Sequence, residues 1–357
     1  MKIKSYRGKY EVVFKQNIKD TITPDEKSFF IVDREVEKYN PDLFKDAKNV
    51  IFITAEECNK DLEYSSSIIS SLIEKNIKKN CVLIAVGGGI TQDITCFIAS
   101  TLFRGISWYF VPTTLLSQAD SCIGSKSSIN FKGIKNLLGN FYPPKKIFCC
   151  SDFLKSLPIQ QIKSGLGEIL HFLFIGNSKL LHTFVSDYDN LLELSPTIDN
   201  YIEECLSIKK KTIEKDEFDT GVRQINNFGH TFGHSLETAT DYNLSHGQAV
   251  TMGMSIANFI SLNLEFIDST TYNFNQNIIN VNLPEVILTK EQKTLFFAAL
   301  KKDKKNINNS LVCILQKKDN KIFWRSNATS FNIHTLENFI KVEEIINIYF
   351  KNNETSI

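Results

Sequence analysis

The sequence predicts an α/β domain built on a parallel sheet, followed by a second domain that is mostly α-helical. Three observations carry this. Over the first 150 residues, short β-branched or aromatic runs alternate with amphipathic stretches. One of those runs ends in three consecutive glycines. From about Lys155 onward the pattern changes to successive segments with helical spacing.

The strands are expected at "SFFIVD" (28–33), "NVIFITA" (49–55), "CVLIAVGGG" (81–89) and "ISWYFVPTT" (106–114). Apolar residues recur at helical spacing in "EYSSSIISSLIEKNI" (63–77) and "ITQDITCFIASTLF" (90–103), so helices flank the third strand. Turn signals in "YPPKKIFCCSDFLKSLP" place the domain boundary near residues 145 to 155. Beyond it "QQIKSGLGEILHFLFIG", "NYIEECLSIKKKTIEKD", "FGHTFGHSLETATDY" and "GQAVTMGMSIANFISLNLEF" read as helices. Only "SLVCILQ" with "KIFWRS" reads there as a hairpin. No internal repeat or low-complexity tract is visible, and the tail "KNNETSI" is expected to fray.

Composition excludes some functions. Lysine plus arginine, 41, nearly balances aspartate plus glutamate, 40, so no global field holds nucleic acid or an anionic membrane. No run approaches the roughly 20 apolar residues of a membrane span, and a cytoplasmic protein is expected. Cysteines at 58, 81, 96, 122, 149, 150, 205 and 313 form no CxxC pair and no regular framework, so they read as reduced small hydrophobes.

A strand running into Gly87, Gly88 and Gly89 and then a helix brings backbone amides close to a ligand, since glycine has no Cβ to block approach. A phosphate at that helix N-terminus suits the geometry, and a plain tight turn suits it too. This is not the GxGxxG fingerprint, because Gln92 stands where its third glycine would be. Asp33, ending an earlier strand, is placed to accept hydrogen bonds from ribose hydroxyls.

His230 and His234 lie four apart in "NNFGHTFGHSLE", hence on one helical face, and His246 follows in "LSHGQAV". Glu168, in the apolar helix "GLGEILHF", is a charge that needs a partner. Three clustered histidines with such a glutamate suit a zinc-type ion with an open coordination position, and the pattern is not HExxH. Residues 111 to 141 set Asp120, Lys126, Lys135 and Asn136 among small polar neighbours, as a phosphate or carboxylate pocket requires. Arg104, Lys209, Arg223, Lys304 and Lys305 are further basic candidates.

From Asp33 to about Leu315 the chain resembles the 3-dehydroquinate synthase family, sugar-phosphate cyclases of the wider glycerol-dehydrogenase-like fold. The matching pieces, in order, are "VGGGITQD", "FRGISWYFVPTTLLSQADSCIGSK", "KNLLGNFYPPKKI", "LKSLP", "GLGEIL", "DTGVRQINNFGHTFGHSLE", "HGQAV" and "DKK". The resemblance implies a Rossmann-like NAD-binding α/β domain over residues 1–152 and a helical metal- and substrate-binding domain over 153–357. It makes Glu168, His230 and His246 the ligands of a divalent metal, zinc or cobalt, and turns His234 toward the substrate. NAD is implied at Asp33, Glu57, Lys60, Gly87, Gly88, Gly89, Asp93, Thr113 and Thr114.

Catalytic roles fall by the same resemblance to Asp120, Lys126, Lys209, Arg223, Asn227 and His234. Substrate contacts fall to Lys135, Asn136, His171 and Lys304, with Arg104 reaching a neighbour's site in a homodimer. The implied partner is a small sugar acid phosphate. The implied reaction turns 3-deoxy-arabino-heptulosonate 7-phosphate into 3-dehydroquinate and phosphate, through transient oxidation by NAD, phosphate elimination, re-reduction and aldol closure. Two positions depart from the family pattern. His171 stands where a lysine is usual, and "GSKSS" replaces "GGKTG", setting Ser125 and Ser127 beside Lys126. The alternatives are a sibling cyclase with another substrate, a metal-dependent NAD alcohol dehydrogenase of the same fold, and an inactive scaffold.

Overall fold

The apolar runs near the N-terminus become one sheet, and the helical periodicities after it become a bundle. A computed structural model describes residues 1–22, 25–176, 178–302, 311–317, 331–333 and 336–354. They divide into two compact units, residues 1–158 with 198–223, and residues 159–197 with 224–357.

The first unit opens with β1 (Lys2–Ser5) and β2 (Gly8–Phe14), then β3 (Ser28–Asp33), α1 (Arg34–Tyr39), β4 (Val50–Ile53), α2 (Leu62–Glu74), β5 (Val82–Gly87), α3 (Gly89–Thr101) and β6 (Ser107–Pro112). The hairpin β7 (Lys126–Phe131) and β8 (Ile134–Phe141) follows, then β9 (Lys146–Cys149). The sheet runs β1-β2-β9-β6-β5-β3-β4, antiparallel only between β1 and β2. In β5, between β3 and β6, Leu83, Ile84, Ala85 and Val86 are all buried, so the strand shows a continuous apolar run rather than an alternation. All four expected strands form.

Two strand pairs escape the sequence reading. In "MKIKSYRGKYEVVFK" charges surround the apolar positions, yet Ile3, Tyr10 and Val12 alternate inward and are buried. Residues 126–141 form a hairpin turning at Lys132 and Gly133, both with positive φ. The cysteines behave as expected, free and buried apart from Cys58.

The second unit contains α4 (Ile159–Gly176) and α5 (Phe184–Leu192). After it comes α6 (Thr197–Ile213), nearly all of which returns to the first unit. The second unit resumes with α7 (His230–Ala239), α8 (His246–Asn263), α9 (Ser269–Asn280) and α10 (Lys290–Lys301). It ends with β10 (Leu311–Cys313), β11 (Phe331–Ile333) and α11 (Leu336–Glu354). The units part at Pro158 and Ile159, and one later segment crosses back. The physical reason is that Lys209 and Arg223 bond to Asp120 and Gly124. The strand partner of "SLVCILQ" is Phe331–Ile333, whereas "KIFWRS" lies outside the described residues, as do Lys304 and Lys305. Among the described residues no helix is long and apolar enough to cross a membrane.

Candidate active site

In the second unit, glycines set how closely three helices approach. A Cβ on Gly167 of α4 would stand 2.0 Å from the carbonyl oxygen of Gly247 on α8, and a Cβ on Gly247 1.7 Å from the Ser164 oxygen. A Cβ on Gly253 of α8 would stand 2.0 Å from the oxygen of Gly229, which precedes α7. Any larger side chain would force these backbones apart. This brings Glu168 on α4 together with His230 and His246, the first residues of α7 and α8.

Glu168 is buried, with Oε1 3.4 Å from His230 Nε2 and 3.2 Å from His246 Nε2. The three ligand atoms lie within 4.8 Å of one another. A tetrahedral ion with bonds of about 2.0–2.1 Å holds its ligand atoms about 3.3 Å apart, so these separations match one shared ion. Neither oxygen of Glu168 accepts a hydrogen bond although both are buried, as suits a carboxylate whose partner is a cation.

The imidazoles are already oriented. His230 Nδ1 donates to the Phe228 carbonyl at 3.1 Å, and His246 Nδ1 stands 3.3 Å from both carboxylate oxygens of Glu237. Each arrangement protonates Nδ1 and leaves the Nε2 lone pair for a metal. Burial opposes the Glu168 charge, but the imidazoles, His230 foremost, outweigh it and hold its pKa well below the usual carboxylate range. Burial likewise opposes a charged His246, and the Glu168 and Glu237 carboxylates raise its pKa well above the usual value.

His234 is exposed one turn along α7, its ring 5.5 Å from that of His230 and stacked 5.7 Å from that of His246. His171 is fully buried, with Nδ1 3.5 Å from Glu168 Oε2. Asn227 Nδ2 donates to the Gln224 carbonyl at 2.8 Å. Sequence reasoning missed Glu237. Its signal was present, since positions 230, 234 and 237 follow the helical i, i+4, i+7 spacing.

In the first unit the glycine turn joins β5 to α3. Gly87 is tight against Thr91, where a Cβ would stand 2.4 Å from Oγ1, and its carbonyl accepts from Thr113 N at 2.9 Å. A Cβ on Gly88 would touch Thr114 Cγ2 at 3.0 Å, whereas one on Gly89 meets only Ser121 Oγ at 3.8 Å. Asp33 caps α1 by accepting from Glu35 N at 3.1 Å, and burial raises its pKa. These groups stand at the C-terminal ends of neighbouring parallel strands, the usual place for a nucleotide in such a sheet.

Lys60 joins several predicted residues, its Nζ lying 3.2 Å from Asp93 Oδ2, 2.7 Å from Asn136 Oδ1 and 3.7 Å from Glu57 Oε1. Asn136, implied as a substrate contact, thus sits in the same cluster as residues implied for NAD. Lys209 is buried, 2.7 Å from both the Asp120 carboxylate and its carbonyl. Arg223, also buried, donates to the Gly124 carbonyl at 3.1 Å. A Cβ on Gly124, which has φ +113°, would stand 2.6 Å from Arg223 Nη2. Lys126 is exposed and pairs with Asp219 at 2.7 Å. Arg104 is exposed and Lys135 half-buried.

Ser125, where the family pattern has glycine, takes the left-handed backbone with φ +64° and donates to Glu217 Oε1 at 2.5 Å. Glu217 also accepts from Ser5 Oγ at 2.6 Å and from Tyr6 N at 2.7 Å. Asp216 accepts from the amides of Thr220, Gly221 and Arg223 at 3.0, 2.7 and 3.0 Å. Nothing in local sequence spacing marked Glu217 or Asp216, since their partners are distant along the chain or are backbone amides.

An α/β unit with a glycine turn at its strand ends, joined in one chain to a helical unit in which two half-buried histidines meet a buried glutamate, defines a dehydroquinate synthase-like architecture. The solved structure of 2-deoxy-scyllo-inosose synthase complexed with carbaglucose-6-phosphate, NAD+ and Co2+ matches with a TM-score of 0.78 at 23% identity, covering 88% of this chain and 91% of that one. Among relatives, the 3-dehydroquinate synthase of Clostridium tetani is 37% identical over 83% of this chain and 81% of its own length. That of Pelagibacter ubique is 32% identical over 96% and 98%. The family models for the 3-dehydroquinate synthase N-terminal and C-terminal regions match residues 50–164 and 165–306, and the chain belongs to the 3-dehydroquinate synthase family.

Proposed function

We propose that the chain converts 3-deoxy-arabino-heptulosonate 7-phosphate into 3-dehydroquinate and phosphate. The observation that carries this reading is the convergence of Glu168, His230 and His246 at separations suited to one divalent ion, zinc or cobalt. When bound, NAD supplies reversible hydride transfer at a ring carbon and the metal polarises the oxygen there.

The chain's own residues do the rest. Gly87, Gly88 and Gly89 with the N-terminus of α3 would receive the cofactor diphosphate, and Asp33 the ribose hydroxyls. Glu57, Lys60, Asp93, Thr113 and Thr114 complete that cradle. Lys209 and Arg223, buried cations, bind and orient the anionic ends of the sugar acid, and Lys126 and Lys135 add further positive charge. Asp120 and Asn136 orient Lys209 and Lys60, Asn227 contacts the sugar, and His234, exposed beside the metal ligands, holds or moves a proton at its hydroxyls. Lys304 would add a further cation. Two copies of the chain would form a cytoplasmic homodimer, in which the exposed Arg104 reaches the neighbour's site.

Phosphate release from the heptulosonate phosphate, with NAD and zinc or cobalt present and no net NADH formed, is the expected result. Net NADH from simple polyols without phosphate release would make the chain a dehydrogenase. Ser125, beside Lys126, favours one second reading, a sibling cyclase for another sugar phosphate. Faster turnover of a different seven-carbon phosphate would establish it.

A further inference from the structure

Glu168 turns its two oxygens to different neighbours. Oε1 faces the Nε2 atoms of His230 and His246, at 3.4 and 3.2 Å, while Oε2, which accepts no hydrogen bond, stands 3.5 Å from His171 Nδ1. His171 has no solvent exposure, and its ring is held edge-on between those of Phe172 and His230, at centroid distances of 4.7 and 4.9 Å. A ring so enclosed does not swing out to meet an incoming anion.

We propose that His171 is a positioning residue that closes this 3.5 Å separation when an ion binds and then holds Oε2 of Glu168, so that the carboxylate presents Oε1 alone to the metal. This rests on reading Glu168, His230 and His246 as the metal centre, and it replaces the substrate contact that the family resemblance implies at position 171. The chemistry favours imidazole here. A neutral ring donates from Nδ1 and so holds an oxygen without placing a second cation beside a divalent ion, which a lysine ammonium in the same buried space would do. With Oε2 held, Glu168 does not close onto the ion through both oxygens, and a coordination position stays open for substrate.

The test is Co2+ binding, followed by competition with a chelator and by the visible absorption band, on wild type, His171→Asn, His171→Gln and His171→Phe. An asparagine amide takes the place of imidazole Nδ1, whereas a glutamine amide reaches only toward the Nε2 position. His171→Asn is expected to retain the wild-type spectrum and most of the affinity. His171→Gln and His171→Phe are expected to bind Co2+ about 10–100-fold more weakly. Their band should also lose intensity as the second oxygen enters the coordination shell. Equal affinity and spectrum in all the variants, or equal weakening in Asn, Gln and Phe, would overturn the proposal. If the phenylalanine variant does not fold, the Asn and Gln pair still decides it. Absence of Co2+ binding by the wild type, scored beside His230→Ala, would overturn the metal centre itself, a separate result.

Discussion

Gly167 and Gly247 face each other across α4 and α8 so closely that a Cβ on Gly167 would stand 2.0 Å from the Gly247 carbonyl oxygen. The neighbouring residues in the chain are Glu168 and His246, so this backbone contact sets the distance between two of the proposed metal ligands. Gly167→Ala should push the helices apart and cost roughly 1–3 kcal/mol, the range for overpacking a tight core. Thermal melting should show the loss, and bound zinc should fall with it. A variant that melts and binds zinc as wild type does would show that the helices are free to relax.

Glu237 is expected to act through His246. Replacing it with alanine removes the carboxylate 3.3 Å from Nδ1 and leaves the ring free to change tautomer. Metal affinity should drop about 10–100-fold with little change in fold. Glu168→Gln should do more, because it removes a ligand charge as well as an orientation. Zinc titration of the two variants ranks them, and the reverse order would contradict the assigned roles.

At the glycine turn, Gly89→Asp separates folding from cofactor binding. A Cβ at 89 meets only Ser121 Oγ, at 3.8 Å, so the backbone has room for a side chain there, and an acidic residue in the first turn of α3 interacts favourably with the helix dipole. The same charge repels a diphosphate. Melting temperature should hold while the dissociation constant for NAD rises by more than tenfold, about 1.4 kcal/mol or more. Unchanged NAD binding would move the diphosphate elsewhere.

Ser125 carries a backbone cost that glycine would not. Ser125→Ala loses the bond to Glu217 and keeps φ near +64°, whereas Ser125→Gly loses the bond but relieves the strain. The glycine variant should therefore be more stable than the alanine variant by about 1 kcal/mol. Chemical denaturation of the pair measures the difference, and alanine equal to glycine would place the cost elsewhere.

Asp93 gives a pH signature. Burial pushes its carboxyl up to about 6, against the pull of Lys60, from an ordinary 3.8. The folded chain thus holds this proton more tightly than the unfolded chain does. The contribution to stability is full below about pH 4 and is lost as pH rises through about 6. Asp93→Asn removes that decline, so its melting temperature relative to wild type should rise between pH 4 and pH 7. A flat difference would mean that Asp93 titrates normally.

Much of this was legible in the residue order. The strands at 28–33 and 82–87 declared themselves because a strand buried on both faces must be apolar throughout, and those at 50–53 and 107–112 by their β-branched and aromatic runs. Glu168 stood out as a charge in an apolar helix, and the histidines stood out by their spacing. The hairpins at 2–14 and 126–141 did not, since their charged exposed positions mask a short buried alternation.

Residue order thus determined the alternation of strands and helices, the glycine turn and the histidines and glutamate that could hold a metal, because periodicity and side-chain chemistry are local properties. Only tertiary structure decided that Ile198–Arg223 belongs with the sheet-bearing unit, that Glu237 orients His246, and that His171 turns to Glu168. Those outcomes depend on how closely backbones approach in three dimensions. Spacing along one chain does not encode that distance.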